Sequence, residues 1–150
     1  MRAKKKIAGL VASALLIFLF VYAAISKLIE FPIYYGEINS QPLPDWRTPF
    51  LAAGIPSVEL VIAMGLISGK YRFASLWAAF ILMSAFTVYI ALILFNVFDR
   101  TPCSCGGVLH WLNWKEHFFL NLFFIAVSLA GIISCKTNSK PVNRSLNFIV

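Results

Sequence analysis

The chain alternates between long apolar stretches and short polar ones, and four apolar stretches are long enough to cross a membrane. They run over Ile7 to about Ile29, Phe50 to about Ser68, Phe73 to about Val97, and Trp114 to about Ile133. About 20 helical residues at 1.5 Å each cross a hydrocarbon core of about 30 Å. The apolar runs are continuous and do not alternate, which excludes membrane-spanning strands. This pattern predicts an all-α membrane protein with a bundle of four transmembrane helices.

Composition supports a membrane location and argues against nucleic acid as a partner. The 150 residues are 60% hydrophobic and 13% charged, and the mean hydropathy is +0.81. Soluble domains carry about 25% charged residues. The net charge of +7 would suit nucleic acid, but the charges lie at the ends of apolar runs and form no basic stripe among aromatic residues. We therefore expect the lipid bilayer, and no nucleic acid, as a partner.

The basic residues are divided unevenly between the two sides of the predicted bundle. Nine lie in the N-terminal tail, the second loop and the C-terminal tail, and the other side carries only Lys27, Arg47, Arg100 and Lys115. Because basic residues near span ends stay in the cytoplasm, both termini are predicted to be cytoplasmic, and the loops 30–49 and 98–113 to face outward. We therefore expect a multi-pass protein of a bacterial cytoplasmic membrane, with a membrane domain over 1–135 and a cytoplasmic tail over 136–150.

Two cysteines, Cys103 and Cys105, stand one residue apart in the loop 98–113, on the side where an oxidising environment is expected. Residues two apart are separated by roughly 5–7 Å at Cα, near the distance that a disulfide needs. The ring would be very small, and strained, exposed disulfides tend to exchange rather than to serve as structural links. Pro102 stiffens the approach to this pair, whereas Gly106 and Gly107 permit a sharp reversal that would expose the sulfurs.

Three interpretations of the cysteine pair remain open. Ring strain favours the first, in which Cys103 and Cys105 are catalytic and exchange disulfides with a partner. The second is a metal site that also uses His110 and His117, but one intervening residue is not the usual spacing of zinc ligands, and we assign no metal. The third is a static disulfide or a pair of idle thiols.

Polar residues inside the predicted spans form a second candidate site. Glu59 lies about 13 Å from the outer end of the second span, where a charge costs roughly 2.5–3.5 kcal/mol. Tyr22, Tyr89 and Asn121 reach similar depths, about 11–12 Å, and His117 lies one turn from Asn121 on the same helix face. One interpretation is that their hydrogen bonds hold the helices together. The other is a polar pocket of Glu59, His117, Asn121 and Tyr89 that could relay protons or hold a quinone headgroup.

Three motifs, taken in order, resemble the MauE/DoxX family of redox-associated membrane proteins, and most closely its MauE-like branch. They are AAISKLIEF at the end of the first span, GIPSVELVIAMGLI in the second, and CSCGG followed by WKEHFFLN before the fourth. The resemblance covers nearly the whole chain. Carried over by position, it marks Ser26, Lys27, Leu28, Pro56, Glu59, Cys103, Cys105, Gly106, Gly107, Glu116, His117 and Asn121.

The resemblance implies a four-helix membrane protein that supports the maturation of exported, disulfide-containing proteins. The MauE-like branch is implicated in maturing a periplasmic subunit of methylamine dehydrogenase, together with a thioredoxin-like partner. We therefore expect thiol–disulfide exchange on the periplasmic face, with a thioredoxin-like periplasmic protein as partner and a quinone as a candidate cofactor. The family also implies an alternative, a non-catalytic accessory or scaffold subunit of a membrane redox complex. The chain is thus expected to be a thiol–disulfide oxidoreductase or an accessory to one.

Overall fold

Five α-helices and one 3₁₀ helix make up the part of the chain that the structure describes. A computed structural model describes residues 2–41, 44–95, 97 and 114–138. In chain order the elements are α1 (Arg2–Ile29), α2 (Phe31–Asn39), the 3₁₀ helix (Asp45–Arg47), α3 (Thr48–Ile67), α4 (Arg72–Leu94) and α5 (Trp114–Asn138). Every regular element within those ranges is helical, which confirms the predicted all-α class.

Four of the helices are long and apolar enough to cross a membrane. The qualifying segments, each of 20–24 residues, are Lys6–Ile29, Thr48–Ile67, Arg72–Leu94 and Lys115–Lys136. They confirm the predicted bundle of four spans. Some helix ends differ from the expected bounds, since α1 begins at Arg2 rather than Ile7, α4 stops at Leu94 rather than near Val97, and α5 continues past Ile133 to Asn138.

The long helices run alternately in opposite directions. Helix α1 packs on α3 and α5, and α4 packs on the same two helices, so that α1 and α4 lie diagonally across the bundle. At one end, Gly65 of α3 lies beside Ser75 of α4, and Gly9 of α1 lies beside Ser134 of α5. The opposite end therefore collects the end of α1, the beginning of α3, the end of α4 and the beginning of α5. Helix α2 also lies there, and we call it the α2 end.

Large apolar side chains lie both in the core between the helices and on the outside of the bundle. Leu16, Phe20, Leu66 and Leu76 form the centre of the core, whereas Phe18 is among the exposed aromatic residues. Lipid tails are as apolar as these outward side chains, so the hydrophobic effect does not hold such helices together. The bundle is stabilised instead by close packing and by the few polar contacts between helices.

Helix α2 occupies part of the loop that was expected at 30–49, and the sequence did not predict it. It starts directly after α1, with Pro32 in its first turn, where the missing N–H removes no helical hydrogen bond. Its inner face packs against α3 and buries Tyr34. The short helix thereby adds a buried tyrosine to the α2 end of the bundle.

Candidate functional site

A buried ion pair joins α1 to α3. Lys27 Nζ lies 2.5 Å from Glu59 Oε1, and the two side chains are 11% and 2% exposed. The sequence predicted Glu59 as a polar residue within a span and marked Lys27 only through the family resemblance; the structure shows that they are partners. A charge within a membrane is expensive unless it is paired, so each residue supplies the counterion that the other needs.

Antiparallel packing and the direction of helical side chains explain this pairing. Lys27 lies near the end of α1, whereas Glu59 lies near the middle of α3, about 16 Å along the helix axis from Thr48. Helical side chains lean toward the N-terminus of their own helix, so Lys27 leans toward the bundle centre and Glu59 toward the α2 end. Both residues lie on buried stripes, Lys27 four residues after Ala23 and Glu59 three before Ile62.

Residues from α2 and α5 surround the ion pair. Tyr34 of α2 is buried and interacts electrostatically with Glu59. His117 of α5 is half-buried and interacts electrostatically with Lys27. Asn121 is buried one turn further along α5, on the same helix face as His117. The structure therefore brings Glu59 and His117 together around Lys27, which the sequence had not placed in the pocket.

At this site Glu59 Oε2 and the Tyr34 hydroxyl are buried and have no hydrogen-bond partner among the described residues. Burial raises the pKa of the Tyr34 hydroxyl, and the negative charges of Glu59 and Glu37 raise it further. The hydroxyl therefore keeps its proton and can donate it in a hydrogen bond. Because an unpartnered buried polar atom costs roughly 1–3 kcal/mol, these two atoms mark a place where a further hydrogen bond is expected.

The two tyrosines predicted at the depth of Glu59 lie in different surroundings. The Tyr89 hydroxyl donates a hydrogen bond to Gln41 Oε1 and so links α4 to the segment that follows α2. Tyr22 is 46% exposed and stacks on Phe18 on the outer face of α1. The face of α1 that packs inward therefore carries Lys27 and not Tyr22.

The residues predicted to carry the thiol chemistry lie outside the described residues; they are Pro102, Cys103, Cys105, Gly106 and Gly107. The chain between α4 and α5 is attached to both helices at the α2 end. The cysteine pair thus belongs to a segment that starts and finishes at the same end of the bundle as α2. Cys135, by contrast, is half-buried against the core near the other end.

The chemistry available among the described residues is hydrogen bonding and proton transfer. An ammonium group, a carboxylate, a phenol and an imidazole lie in one neighbourhood, supplied by Lys27, Glu59, Tyr34 and His117. Within the described ranges, no group of three or more His, Cys, Asp and Glu side chains could hold a metal ion. What this site can do is accept, hold and pass on protons inside a membrane bundle.

A family model described as "Methylamine utilisation protein MauE" matches residues 5–134, which is most of the chain. The chain belongs to this family. Among curated proteins, the methylamine utilization protein MauE of Paracoccus denitrificans is 33% identical over 117 residues, which make up 75% of this chain and 61% of the relative. The chain therefore spans less than two thirds of that relative's length. No solved structure matches the chain.

The part of the chain that matches the MauE family model, residues 5–134, includes both the ion pair and the cysteine pair. Sequence reasoning missed the pairing of Lys27 with Glu59 and the burial of Tyr34. Lys27 shares a helix face with Phe20 and Ala23, which precede it by seven and four residues, but only the structure shows that this face packs inward. Tyr34 had no such signal, because its helix was not predicted.

Proposed function

We propose that this chain is a protein of methylamine utilisation that supports thiol–disulfide exchange on the periplasmic face of a bacterial cytoplasmic membrane. The names of the family and of the Paracoccus denitrificans relative support the link to methylamine utilisation. In this proposal both termini are cytoplasmic, and the segment that carries Cys103 and Cys105 faces the periplasm. A thioredoxin-like periplasmic protein is the proposed partner.

The proposed reaction is the attack of a thiolate on a disulfide sulfur through a mixed disulfide. In the direction that forms disulfides in exported proteins, the Cys103–Cys105 disulfide takes two electrons from a partner's two thiols. The partner becomes a disulfide, and its two protons pass to Cys103 and Cys105. A quinone, which takes up two electrons and two protons, is the proposed class of acceptor that reoxidises the pair.

The buried Lys27–Glu59 pair is the observation that carries this proposal. Replacing a buried ion pair by apolar side chains is often neutral or stabilising, so packing alone does not require it. Ionisable residues inside membrane bundles mark proton and ion pathways. Exchange and reoxidation of the cysteine pair move protons, and a buried carboxylate with one open oxygen can take up and release a proton inside the bundle.

A second candidate is a non-catalytic accessory or scaffold subunit of a membrane redox complex. The same ion pair supports it, because the pair ties α1 to α3. Polar contacts of this kind hold membrane helices together without any chemistry. The two candidates differ in what they require of the cysteines, since only the first needs two exchanging sulfurs.

Single cysteine substitutions test the proposal. Exchange is reversible, and in the reverse direction one thiol of the pair attacks the partner's disulfide and the other resolves the mixed disulfide, so removing the resolving sulfur leaves that mixed disulfide in place. We expect Cys103→Ser to accumulate an adduct that reductant releases, and Cys105→Ser to form none, because Cys105 is nearer the beginning of α5, whose dipole favours a thiolate. Non-reducing gels of native membranes report the adduct.

Cys135→Ser is the matched control, because Cys135 lies on α5 away from the α2 end, and this variant should behave as the unsubstituted protein does. Adduct formation by Cys105→Ser alone would reverse the assignment of the attacking sulfur but retain the reaction. The absence of any adduct in both loop variants, with normal maturation of the exported proteins, would favour the scaffold. Stoichiometric zinc or copper in the purified protein, again without an adduct, would favour a metal site.

A further inference from the structure

Tyr34 and Glu59 are chemically complementary and lie on elements that pack together. Tyr34 belongs to α2 and Glu59 to α3, and these helices are in contact. Their side chains interact electrostatically, and the residues are 5% and 2% exposed. The Tyr34 hydroxyl lacks a hydrogen-bond partner among the described residues, and so does Glu59 Oε2. One atom is a donor that keeps its proton, and the other is a carboxylate acceptor.

We propose that the Tyr34 hydroxyl is the second hydrogen-bond donor to Glu59, directly or through one buried water, and that it positions the carboxylate for proton transfer. Lys27 donates to Oε1, and Tyr34 donates toward Oε2. The carboxylate is then held from both sides, by α1 through the ammonium and by α2 through the phenol. Such a contact would remove the cost of leaving two buried polar atoms without a partner.

This arrangement gives α2 a role, because the strength of its contact with α3 through Tyr34 then depends on whether the Glu59 carboxylate is protonated. When Glu59 accepts a proton, it no longer attracts the ammonium or the phenol as strongly, and both contacts to it weaken. The use of that proton in thiol exchange rests on the proposed function. The hydrogen bond itself does not, because it involves only residues of α1, α2 and α3.

The substitution Tyr34→Phe tests the hydrogen bond and keeps the ring. If Tyr34 donates to Glu59, the variant loses a buried hydrogen bond, and we expect the melting temperature in detergent to fall by about 2–4 °C. If the hydroxyl has no partner, the variant removes an unsatisfied polar group, and the melting temperature will stay unchanged or rise. Tyr35→Phe is the matched control, because Tyr35 is the next residue of α2 and is 37% exposed.

An infrared measurement separates positioning from a general effect on stability. The carboxylate stretching band of Glu59 is identified as the band that Glu59→Gln removes. We expect this band to shift in Tyr34→Phe and to stay in place in Tyr35→Phe, since only Tyr34 would donate to the carboxylate. An unshifted band in Tyr34→Phe, or an unchanged or raised melting temperature, would overturn the inference.

The outcome for Tyr34 can be told apart from the outcome for the cysteines. A shifted Glu59 band with no trapped mixed disulfide would support the hydrogen bond and contradict its proposed use in thiol exchange. A trapped mixed disulfide with an unshifted Glu59 band would support thiol exchange and contradict the hydrogen bond from Tyr34. Both measurements use the full-length protein in membranes or detergent.

Discussion

Lys27 and Glu59 place opposite charges in the buried interior of the bundle. Removing one member of such a pair leaves the other charge buried without compensation, which is far more costly than removing both. The strength of the pair therefore appears in the difference between single and double substitutions, and not in either single substitution alone. The same variants separate a structural role from a chemical one.

The first prediction at this scale concerns Lys27→Met, Glu59→Gln and the double variant. We expect each single substitution to lower the free energy of unfolding by roughly 3–5 kcal/mol, because each leaves one buried charge unpaired. The double variant should lose much less than the sum, because both charges are gone. Unfolding of the purified proteins in mixed detergent micelles, analysed as a double-mutant cycle, gives the coupling energy.

Lys6→Met is the matched control, since Lys6 lies on the same helix and is exposed. Its effect should stay within about 0.5 kcal/mol. Additive losses in the double variant would contradict the pairing of Lys27 with Glu59. The activity of the double variant is a second criterion. A stable but inactive double variant indicates that the reaction needs the charges. A stable and active one indicates that the charges only hold the bundle together.

At the scale of helices, α3 packs closely on α4 at Gly65. Among the described glycines, Gly65 is the one where an added Cβ would lie nearest to another atom. A Cβ added at Gly65 would lie 2.0 Å from Ser75 Oγ and 3.2 Å from Ser75 Cβ. The helices can approach this closely because the turn between them is short, with Gly69 in the left-handed region at φ +67°. Small residues at helix contacts are the usual means of close packing in membranes.

Gly65→Ala should therefore destabilise the protein. We expect a loss of about 1–3 kcal/mol, because the new methyl group forces Ser75 or the whole of α4 to shift. Adding Ser75→Ala should recover part of this loss, since it removes the atom that the new Cβ meets first. Unfolding of the three variants in detergent measures both effects.

Gly54→Ala is the control for the intrinsic effect of replacing a helical glycine. Gly54 lies on the same helix, and a Cβ there would meet nothing within 4 Å. This variant should be unchanged or more stable by about 0.4–1 kcal/mol, because alanine restricts the unfolded chain. Equal effects at Gly65 and Gly54 would show that the contact with Ser75 does not limit the packing of α3 on α4.

For the whole molecule, the ion pair alters the distribution of charge that predicts orientation. Of the four basic residues that the sequence predicts on the outward side, Lys27 is buried and paired, which leaves Arg47, Arg100 and Lys115. The side that carries the termini keeps nine. The contrast of nine to three strengthens the expectation that the termini are cytoplasmic and the α2 end is periplasmic.

A membrane-impermeant maleimide, added to intact cells after mild reduction, should accordingly label Cys103 or Cys105 and spare Cys135. The physical reason is that only thiols on the outer face meet the reagent. Mass analysis of the isolated protein identifies the labelled position. Labelling of Cys135 alone would reverse the orientation.

The variant Lys70→Cys provides an internal reference for the other side, because Lys70 lies exposed in the turn between α3 and α4. Its thiol should react only after the membrane is permeabilised. Reaction of Lys70→Cys in intact cells would contradict the proposed orientation, whatever the result at the loop cysteines.

The sequence by itself determined the number of spans and the fold class, because the length and continuity of an apolar run depend only on the order of residues. It also identified Glu59, His117 and Asn121 as polar residues within or beside spans, since a charged or amide side chain is conspicuous in an apolar stretch. The sequence motifs alone resemble the MauE family, and the family match agrees. The cysteine pair was likewise visible from sequence, and its role stays a prediction.

Only the tertiary structure decided which residues face one another. A helix surrounded by lipid is apolar on its outer face as well as its inner one, so the sequence carries little information about its rotation around its own axis. That rotation turned Lys27 inward and Tyr22 outward. Helix α2 and the burial of Tyr34 depend on contacts with α3, which lies further along the chain. Such contacts are set by the packing of neighbouring helices, and no local pattern of residues encodes them.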